Sequence, residues 1–383
     1  MEGKRRYKSY KSFDFILMIM AVSLSVFGIV LIGSATKINI TGISSEFSSQ
    51  IVWLGLGIIA LLMASFIDIE FIFKFYILIY LFNLFLLVAV FFIGTADQYG
   101  VARWIRFGPV GIQPSELTKI LLIIFFAKFL DNNKEKINSF TFIVKYALLL
   151  MLPIFLIAIQ PSLSACLIPL IIGAVLLFEA GLDKRIVVSA IVIGVVVVVA
   201  TVFDSLRENH IFVDMILTDY QIGRIQTAFL QEDAGDSFMQ TGYAIQAIAS
   251  GQMSGKGLYN GTVNQLNFIA ESYNDFIFSV LGEEFGFVGC VTTLVIFFVL
   301  ILRILYISYR AKSLGSKLVC IGVATMIFSQ VFINVGVNTG VLPNTGMTLP
   351  FLSYGGSSLL INLASIGLVI NVSMEKERSI FEG

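Results

Sequence analysis

Long apolar runs dominate the chain, and shorter polar stretches punctuate them. Ten runs have the length of a helix: residues 14–34, 50–67, 73–93, 115–130, 140–159, 162–180, 186–203, 274–302, 316–337 and 355–374. A helix needs about 20 mainly apolar residues to cross a hydrocarbon core, with a lower limit near 17. The pattern predicts an all-α integral membrane protein of about ten transmembrane helices, one polytopic domain over residues 1–383. One polar stretch, roughly 204–273, is far longer than the rest and falls between the seventh and eighth runs.

Composition supports this class: 57% of residues are hydrophobic, 35 are Phe, and the mean hydropathy is +0.91. A soluble chain of this size cannot bury so much apolar surface. Formal net charge is zero, so the distribution of charge carries the information. Lys4, Arg5, Arg6, Lys8 and Lys11 precede the first run. Lys134 and Lys136 follow the fourth, Lys184 and Arg185 the sixth, and Arg303, Arg310, Lys312 and Lys317 the eighth. All lie on one side if both termini are cytoplasmic, as the positive-inside rule asks. Residues 1–13 and 375–383, the latter holding Glu375 to Arg378, are then cytoplasmic tails. No A-x-A-like end follows the N-terminal cluster, so the first run is expected to be retained as a helix.

Loops 35–49, 94–114, 338–354 and the long 204–273 then face outward. The long loop carries Asp204, Glu208, Asp214, Asp219, Glu232, Asp233, Asp236 and Glu271 against Arg207, Arg224 and Lys256. Its apolar residues, Ile222, Ile225, Phe229, Leu230, Tyr243, Ile245 and Ile248, predict one or two short amphipathic helices on the outer surface. Gly251 to Gly257 is a turn-forming segment without the Walker pattern, which excludes a nucleotide site there. Cys166, Cys290 and Cys320 lie within apolar runs and read as small core or lipid-facing residues. His210 is the only histidine, which argues against zinc chemistry and Ser-His-Asp hydrolysis. Acid–base work falls to carboxylates, Lys, Tyr or water.

Four groups of residues could carry chemistry. Gln113-Pro114-Ser115 and Gln160-Pro161-Ser162 each open a helix running inward. Proline suits a first helical position, and a helix N-terminus favours an anion such as a phosphate. Asp275 opens the eighth run, with Glu283 and Glu284 about two turns deeper. Asp275 reads as a first-turn acid favourable to the helix dipole, or as a general base at a water-filled outer cavity. Glu283 and Glu284 suit pairing with a basic residue of another helix. Arg103, Arg106 and Lys119 read as a cationic lip for a lipid phosphate, with Glu116 and Lys119 at i,i+3 spacing as an internal ion pair. The segment Asn338 to Ser358, dense in Gly, Pro, Ser and Thr, reads as a connecting loop or as a re-entrant loop lining a polar cavity.

Together these segments resemble the SEDS family, the RodA, FtsW and SpoVE proteins of shape, elongation, division and sporulation. The matching pieces are Arg103-Trp104-Ile105 with Gln113 to Glu116, Lys256-Gly257, Asp275 to Phe278 with Glu283 to Gly286, and Gly346 to Ser358. The resemblance spans about residues 14–374. It implies a glycosyltransferase that polymerises lipid II into peptidoglycan in the bacterial cell membrane. A class B penicillin-binding protein is the implied partner, with membrane lipids around the chain and no nucleic acid. Asp275 matches the family's outer-loop aspartate, implying a general base for the acceptor GlcNAc 4-hydroxyl. Cationic side chains or a divalent cation, Mg or Mn, would stabilise the pyrophosphate leaving group. Arg103, Arg106, Gln113, Ser115, Glu116, Lys119 and Ser353 are the expected substrate-binding residues. Glu283, Glu284, Pro350, Gly355 and Gly356 are expected to frame the cavity.

The chain departs from the family twice. Many members read Gln-Pro-Asp-Leu-Gly-Thr where this chain has Gln160 to Ala165, and Pro-Glu-x-His-Thr-Asp where it has Ala270 to Asp275. The first change removes an acid; the second keeps the aspartate and alters its neighbours. Short tails without long extensions lean toward an elongation-type member similar to RodA, with a division or sporulation role as the alternative. A lipid II flippase and a non-catalytic scaffold are the competing readings. The clustering of candidate groups toward the outer face argues against the first, and a dispensable Asp275 would favour the second.

Overall fold

The computed structural model describes residues 6–8, 12–37, 42–96, 102–107, 110–160, 163–205, 236–266 and 268–377. Pro161, Ser162, His210, Lys4, Arg5, Lys11, Arg378 and most of the long loop, residues 206–235, lie outside them.

Thirteen α-helices occur among the described residues: α1 Phe15–Ala35, α2 Ser45–Phe66, α3 Ile69–Lys74, α4 Tyr76–Ile93, α5 Pro114–Asn132, α6 Phe140–Ile159, α7 Leu163–Glu179, α8 Lys184–Ser205, α9 Asp236–Ser250, α10 Thr262–Gln265, α11 Ile277–Arg310, α12 Leu314–Asn338 and α13 Gly356–Ser373. Of these, α1, α2, α4, α6, α11, α12 and α13 are long and apolar enough to cross a membrane. The helices α5, α7 and α8 fall on the remaining predicted runs, which is consistent with ten spans. Polar side chains set several starts. Asp14, Ser44, Ser139 and Ser313 accept from main-chain N–H groups of α1, α2, α6 and α12, satisfying donors that a helix leaves unpaired. The third run begins later than predicted, because the chain turns at Phe75 and the short α3 precedes α4.

Both tails meet at one end. Strands β1 (Arg6–Lys8) and β5 (Glu375–Glu377) pair antiparallel. Arg303 of α11 reaches Asp14 at 2.8 Å, and Lys317 of α12 reaches Glu179 of α7 at 3.2 Å. Arg303 and Lys317 thus lie toward the end of the bundle that holds β1 and β5. A three-stranded sheet stands between α4 and α5: β2 Thr95–Ala96, β3 Ala102–Phe107 and β4 Val110–Ile112, all antiparallel.

The helix α11 is broken. Gly286 has φ +64° and ψ −165°, which splits it into a short half and a long half. A break exposes the carbonyls that end one half and the N–H groups that start the next. One loop satisfies both sets. Lys256 N and Gly257 N donate to the Glu283 and Glu284 carbonyls, each at 3.0 Å. Phe287 N and Val288 N donate to the Gln252 and Met253 carbonyls at 2.8 and 3.1 Å. The turn-forming segment is therefore a clasp around the break. The helix α9 leads into it, with Ala244 and Ala247 buried. It packs Ile248 on Gly282 of α11 and leaves Met239 and Ile245 exposed, an amphipathic arrangement.

A second irregular segment sits inside the bundle. Met347 and Leu349 to Ser353 are buried. Phe351 and Leu352 lie over Gly28 of α1, where a Cβ would stand 2.6 Å from the Leu352 Cα. Gly28 is about two turns from the end of α1, so the segment dips roughly 10 Å below that end. The Phe351 ring stacks at 6.4 Å on Phe297, in the long half of α11. This is the geometry of a re-entrant loop.

Gly255 sits in the clasp with φ +78°, and a Cβ there would collide with the Glu284 carbonyl oxygen. Gly255→Ala is expected to open the clasp and unpair the Glu283 and Glu284 carbonyls, costing about 1–3 kcal/mol for each buried group left unmade. Thermal unfolding of purified protein in detergent reads the loss. Hydrogen exchange should rise in residues 251–257 before it rises elsewhere.

Candidate active site

Asp275 precedes the helix rather than standing in its first turn: α11 starts at Ile277 and its N-cap is Phe276. Phenylalanine has no oxygen with which to cap. The cap comes from α12, where Asn338 Oδ1 accepts from Ser279 N at 3.1 Å. The Nδ2 groups of Asn334 and Asn338 both donate to the Asp275 carbonyl, at 2.8 and 3.0 Å. The two asparagines are one turn apart, so both face the same spot. The partly exposed Asp275 side chain points toward the re-entrant loop. Its Oδ2 lies 3.4 Å from where a Cβ on Gly346 would stand. Gly346 itself has φ +71°, a backbone that favours glycine.

The loop is anchored at both ends by side chains from other helices. Asn334 Nδ2 also donates to the Met347 carbonyl at 2.7 Å. Gln50 of α2 donates to the Ser353 carbonyl at 3.2 Å and accepts from Gly355 N at 3.3 Å. Ser353 Oγ accepts from Leu349 N at 2.8 Å, an internal clip. The hydroxyl is thus engaged with main chain and buried. Gly356 lies against the Trp53 indole, and any side chain there would overlap the ring. Pro350 is buried with the loop. Tyr354 N donates to the Tyr273 carbonyl at 2.9 Å, and the two rings meet edge-on at 5.7 Å. Burial, then the nearby Glu271 and Glu46 carboxylates and Tyr354, push the Tyr273 phenol up to about 12.

Glu283 and Glu284 do different things. Glu283 is fully buried and accepts from Lys256 Nζ at 2.6 Å, Thr262 Oγ1 at 3.1 Å, Val263 N at 2.9 Å and Asn264 N at 3.3 Å. It therefore ties the outer loop to α11 and caps α10. Its cation comes from that loop, whereas the sequence had suggested a partner on another helix. Glu284 accepts from Ser34 Oγ at the end of α1.

The predicted cationic lip does not form as one unit. Lys119 is buried, with Nζ at 2.7 and 2.8 Å from the two Glu116 oxygens. Arg103 Nε donates to the Gln160 carbonyl at 3.3 Å, tying the sheet to the end of α6. Side chains alternate along a strand, so Arg103 and Arg106 leave opposite faces of β3. Arg106 is the exposed one. Gln113 N donates to Ser357 Oγ at 3.2 Å, and that hydroxyl donates to the Gly111 carbonyl at 2.9 Å. The starts of α5 and α13 are thereby joined, with Ser115 buried behind them.

Residues 14–378 match the FtsW/RodA/SpoVE family, described as cell cycle protein. The chain belongs to this family. A relative named probable peptidoglycan glycosyltransferase FtsW, from Geobacter metallireducens, is 34% identical over 97% of each chain. The peptidoglycan glycosyltransferase MrdB of Escherichia coli K12 is 34% identical over 78% of each. Among solved structures, one described as "Structural coordination of polymerization and crosslinking by a peptidoglycan synthase complex" superposes with a TM-score of 0.79. It is 29% identical and the match covers 94% of this chain and 97% of that one. The rod shape determining protein RodA of Thermus thermophilus gives a TM-score of 0.69 at 27% identity, covering 95% of this chain and 97% of that one. The multi-pass helical architecture is that of SEDS proteins.

For this SEDS chain, no group of three or more His, Cys, Asp or Glu that could hold an ion occurs among the described residues. Glu283, the most buried acid, already directs its oxygens at Lys256 and main-chain N–H groups. The described residues thus hold no ready-made all-protein cage for a divalent cation. Among the residues that organise the site, Asn334 and Gln50 were absent from the sequence expectation, and Asn338 entered it only as the first residue of the polar loop segment. A signal existed for the two asparagines. Gln330 and Asn334 in the run 316–337, and Asn338 just after it, recur every four residues, a polar stripe on one face of an apolar helix, which is costly unless it is used.

Lys256→Ala leaves the Glu283 carboxylate buried without its cation and is expected to cost about 3 kcal/mol. Adding Glu283→Gln should recover much of that loss. Thermal unfolding of the single and double variants reads the difference.

Proposed function

We propose that this SEDS peptidoglycan glycosyltransferase polymerises lipid II at the outer face of the cell membrane, with Asp275 as general base. The supporting observation is Asp275 itself: a carboxylate on a main chain clamped by two buried asparagines, facing the glycine-shaped turn of a re-entrant loop. A base held in register with a substrate contributes roughly 10²–10⁴-fold. In the reaction, the acceptor sugar's 4-hydroxyl gives its proton to the carboxylate, and its oxygen forms the bond to C1 of the donor sugar. The bond from C1 to the pyrophosphate oxygen breaks, and the polyprenyl pyrophosphate leaves with the electron pair. Exposed Arg106 is the residue proposed to meet that leaving group. The Glu116–Lys119 pair, with Arg103, Gln113, Ser115 and Ser353, shapes the surface on which the substrate lies.

Both termini are assigned to the cytoplasm, because the end of the bundle that holds them also gathers the basic loops. A class B penicillin-binding protein is the proposed partner. Support comes from the structural neighbour described as a complex that coordinates polymerization and crosslinking. The cellular role is elongation or division, since relatives with both kinds of name match at 34% identity. Depletion separates the two: loss of rod shape marks elongation, and filaments without septa mark division.

The deciding experiment is strand polymerisation from labelled lipid II by purified protein with its partner. Asp275→Asn is expected to lower turnover at least about 100-fold while folding and partner binding are kept. Equal turnover in both proteins would make Asp275 structural. Movement of lipid II across a vesicle without polymer would replace the polymerase reading with a transporter.

A further inference from the structure

We propose that Asn334 and Asn338 are positioning residues for the general base, setting where the Asp275 carboxylate stands relative to the re-entrant loop. This rests on the polymerase reading above. Asp275 lies in the turn at 271–276, outside any helix, so helical hydrogen bonding does not fix it. Its carbonyl is the one main-chain atom on which both asparagine amides converge. Both side chains are almost completely buried. Neither is left with an unmade hydrogen bond: Asn338 Nδ2 also donates to the Asn334 carbonyl at 2.9 Å, and its Oδ1 takes the Ser279 N–H. That network fixes the amide orientation, because a flipped Asn338 would set its oxygen against the Asp275 carbonyl and its NH2 against an N–H.

Asn334 does something a simple cap would not. Its Nδ2 donates to the Asp275 carbonyl and, at 2.7 Å, to the Met347 carbonyl. Met347 directly follows Gly346, the glycine that Asp275 Oδ2 faces. One side chain thus holds the base and the opposing loop at a fixed separation. Asn338 adds the cap of α11, which keeps the short half-helix, and Asp275 just before it, in register with α12. A displacement of about 1 Å in a reacting group can cost on the order of 100-fold in rate. The asparagines act through Asp275 and touch no substrate.

The test uses the full chain with its partner and labelled lipid II. Asn334→Ala leaves the Asn338 cap of α11 untouched. It is expected to lower kcat about 10- to 100-fold at matched folded fraction, with KM within about 3-fold. A cycle with Asp275→Glu, which retains a carboxylate and a measurable rate, gives the second reading. If Asn334 acts through Asp275, the double variant is about as slow as the slower single variant. Losses that multiply would overturn the proposal, and so would a native kcat in Asn334→Ala. If Asn334→Ala does not fold, two variants replace it: Asn334→Ser, and Asn338→Asp, which keeps the acceptor for Ser279 N–H and removes the amide donor to Asp275. The same kcat losses are expected, and a native kcat in either would overturn the proposal. A fully active Asp275→Asn, which retains both asparagines, would instead overturn the general-base reading and this proposal with it.

Discussion

In a bilayer every main-chain N–H and C=O must find a partner within the protein. That constraint governs this fold wherever the helices stop. The chain breaks regular structure twice inside the bundle, at Gly286 and between Asn338 and Gly355. Each break is closed by donors and acceptors from elsewhere. The main chain of residues 252–257 closes the first, and Asn334 and Gln50 hold the two ends of the second. The candidate site lies between the two repairs, and Asp275 is held by one of them. Long ladders of intrahelical bonds make the rest of the molecule; these few cross-element bonds make the site.

The buried acids obey the same logic. Glu283 would be costly in this position without Lys256 and the N–H groups at the start of α10. With them it becomes the link that carries the outer loop onto α11. Lys119 is matched by Glu116 in the same way, one turn away on its own helix. Glu284, nearly as buried, is the exception and accepts from the Ser34 hydroxyl; on β3, Arg106 is exposed.

Helix positions were legible from hydropathy alone, because a run such as 140–159 needs nothing but its own residues to define it. The helix α6 has those bounds in the structure. Asp275 was legible as an acid at the mouth of an apolar run. Its setting was not, since its partners Asn334 and Asn338 lie 59 and 63 residues away and meet it only through tertiary packing. Of the two readings of Arg103, Arg106 and Lys119, the internal Glu116–Lys119 pair was legible from its i,i+3 spacing. The directions of the two arginines were not, since they depend on 102–107 being a strand, which sends residues three apart in opposite directions. Lys256 was visible in a glycine-rich turn, yet only the fold shows that this turn clasps a broken helix.

The seat of Phe351 and Leu352 on Gly28 has a consequence for biogenesis. A ribosome releases Gly28 more than 300 residues before it releases Phe351, so the groove on α1 and the amide of Gln50 wait through nearly the whole of synthesis for their occupant. Until then the centre of the bundle is open, and the turn that Asp275 faces does not exist. The last segments to emerge complete the first, and a chain stalled or clipped before Gly346 lacks the turn that its aspartate faces.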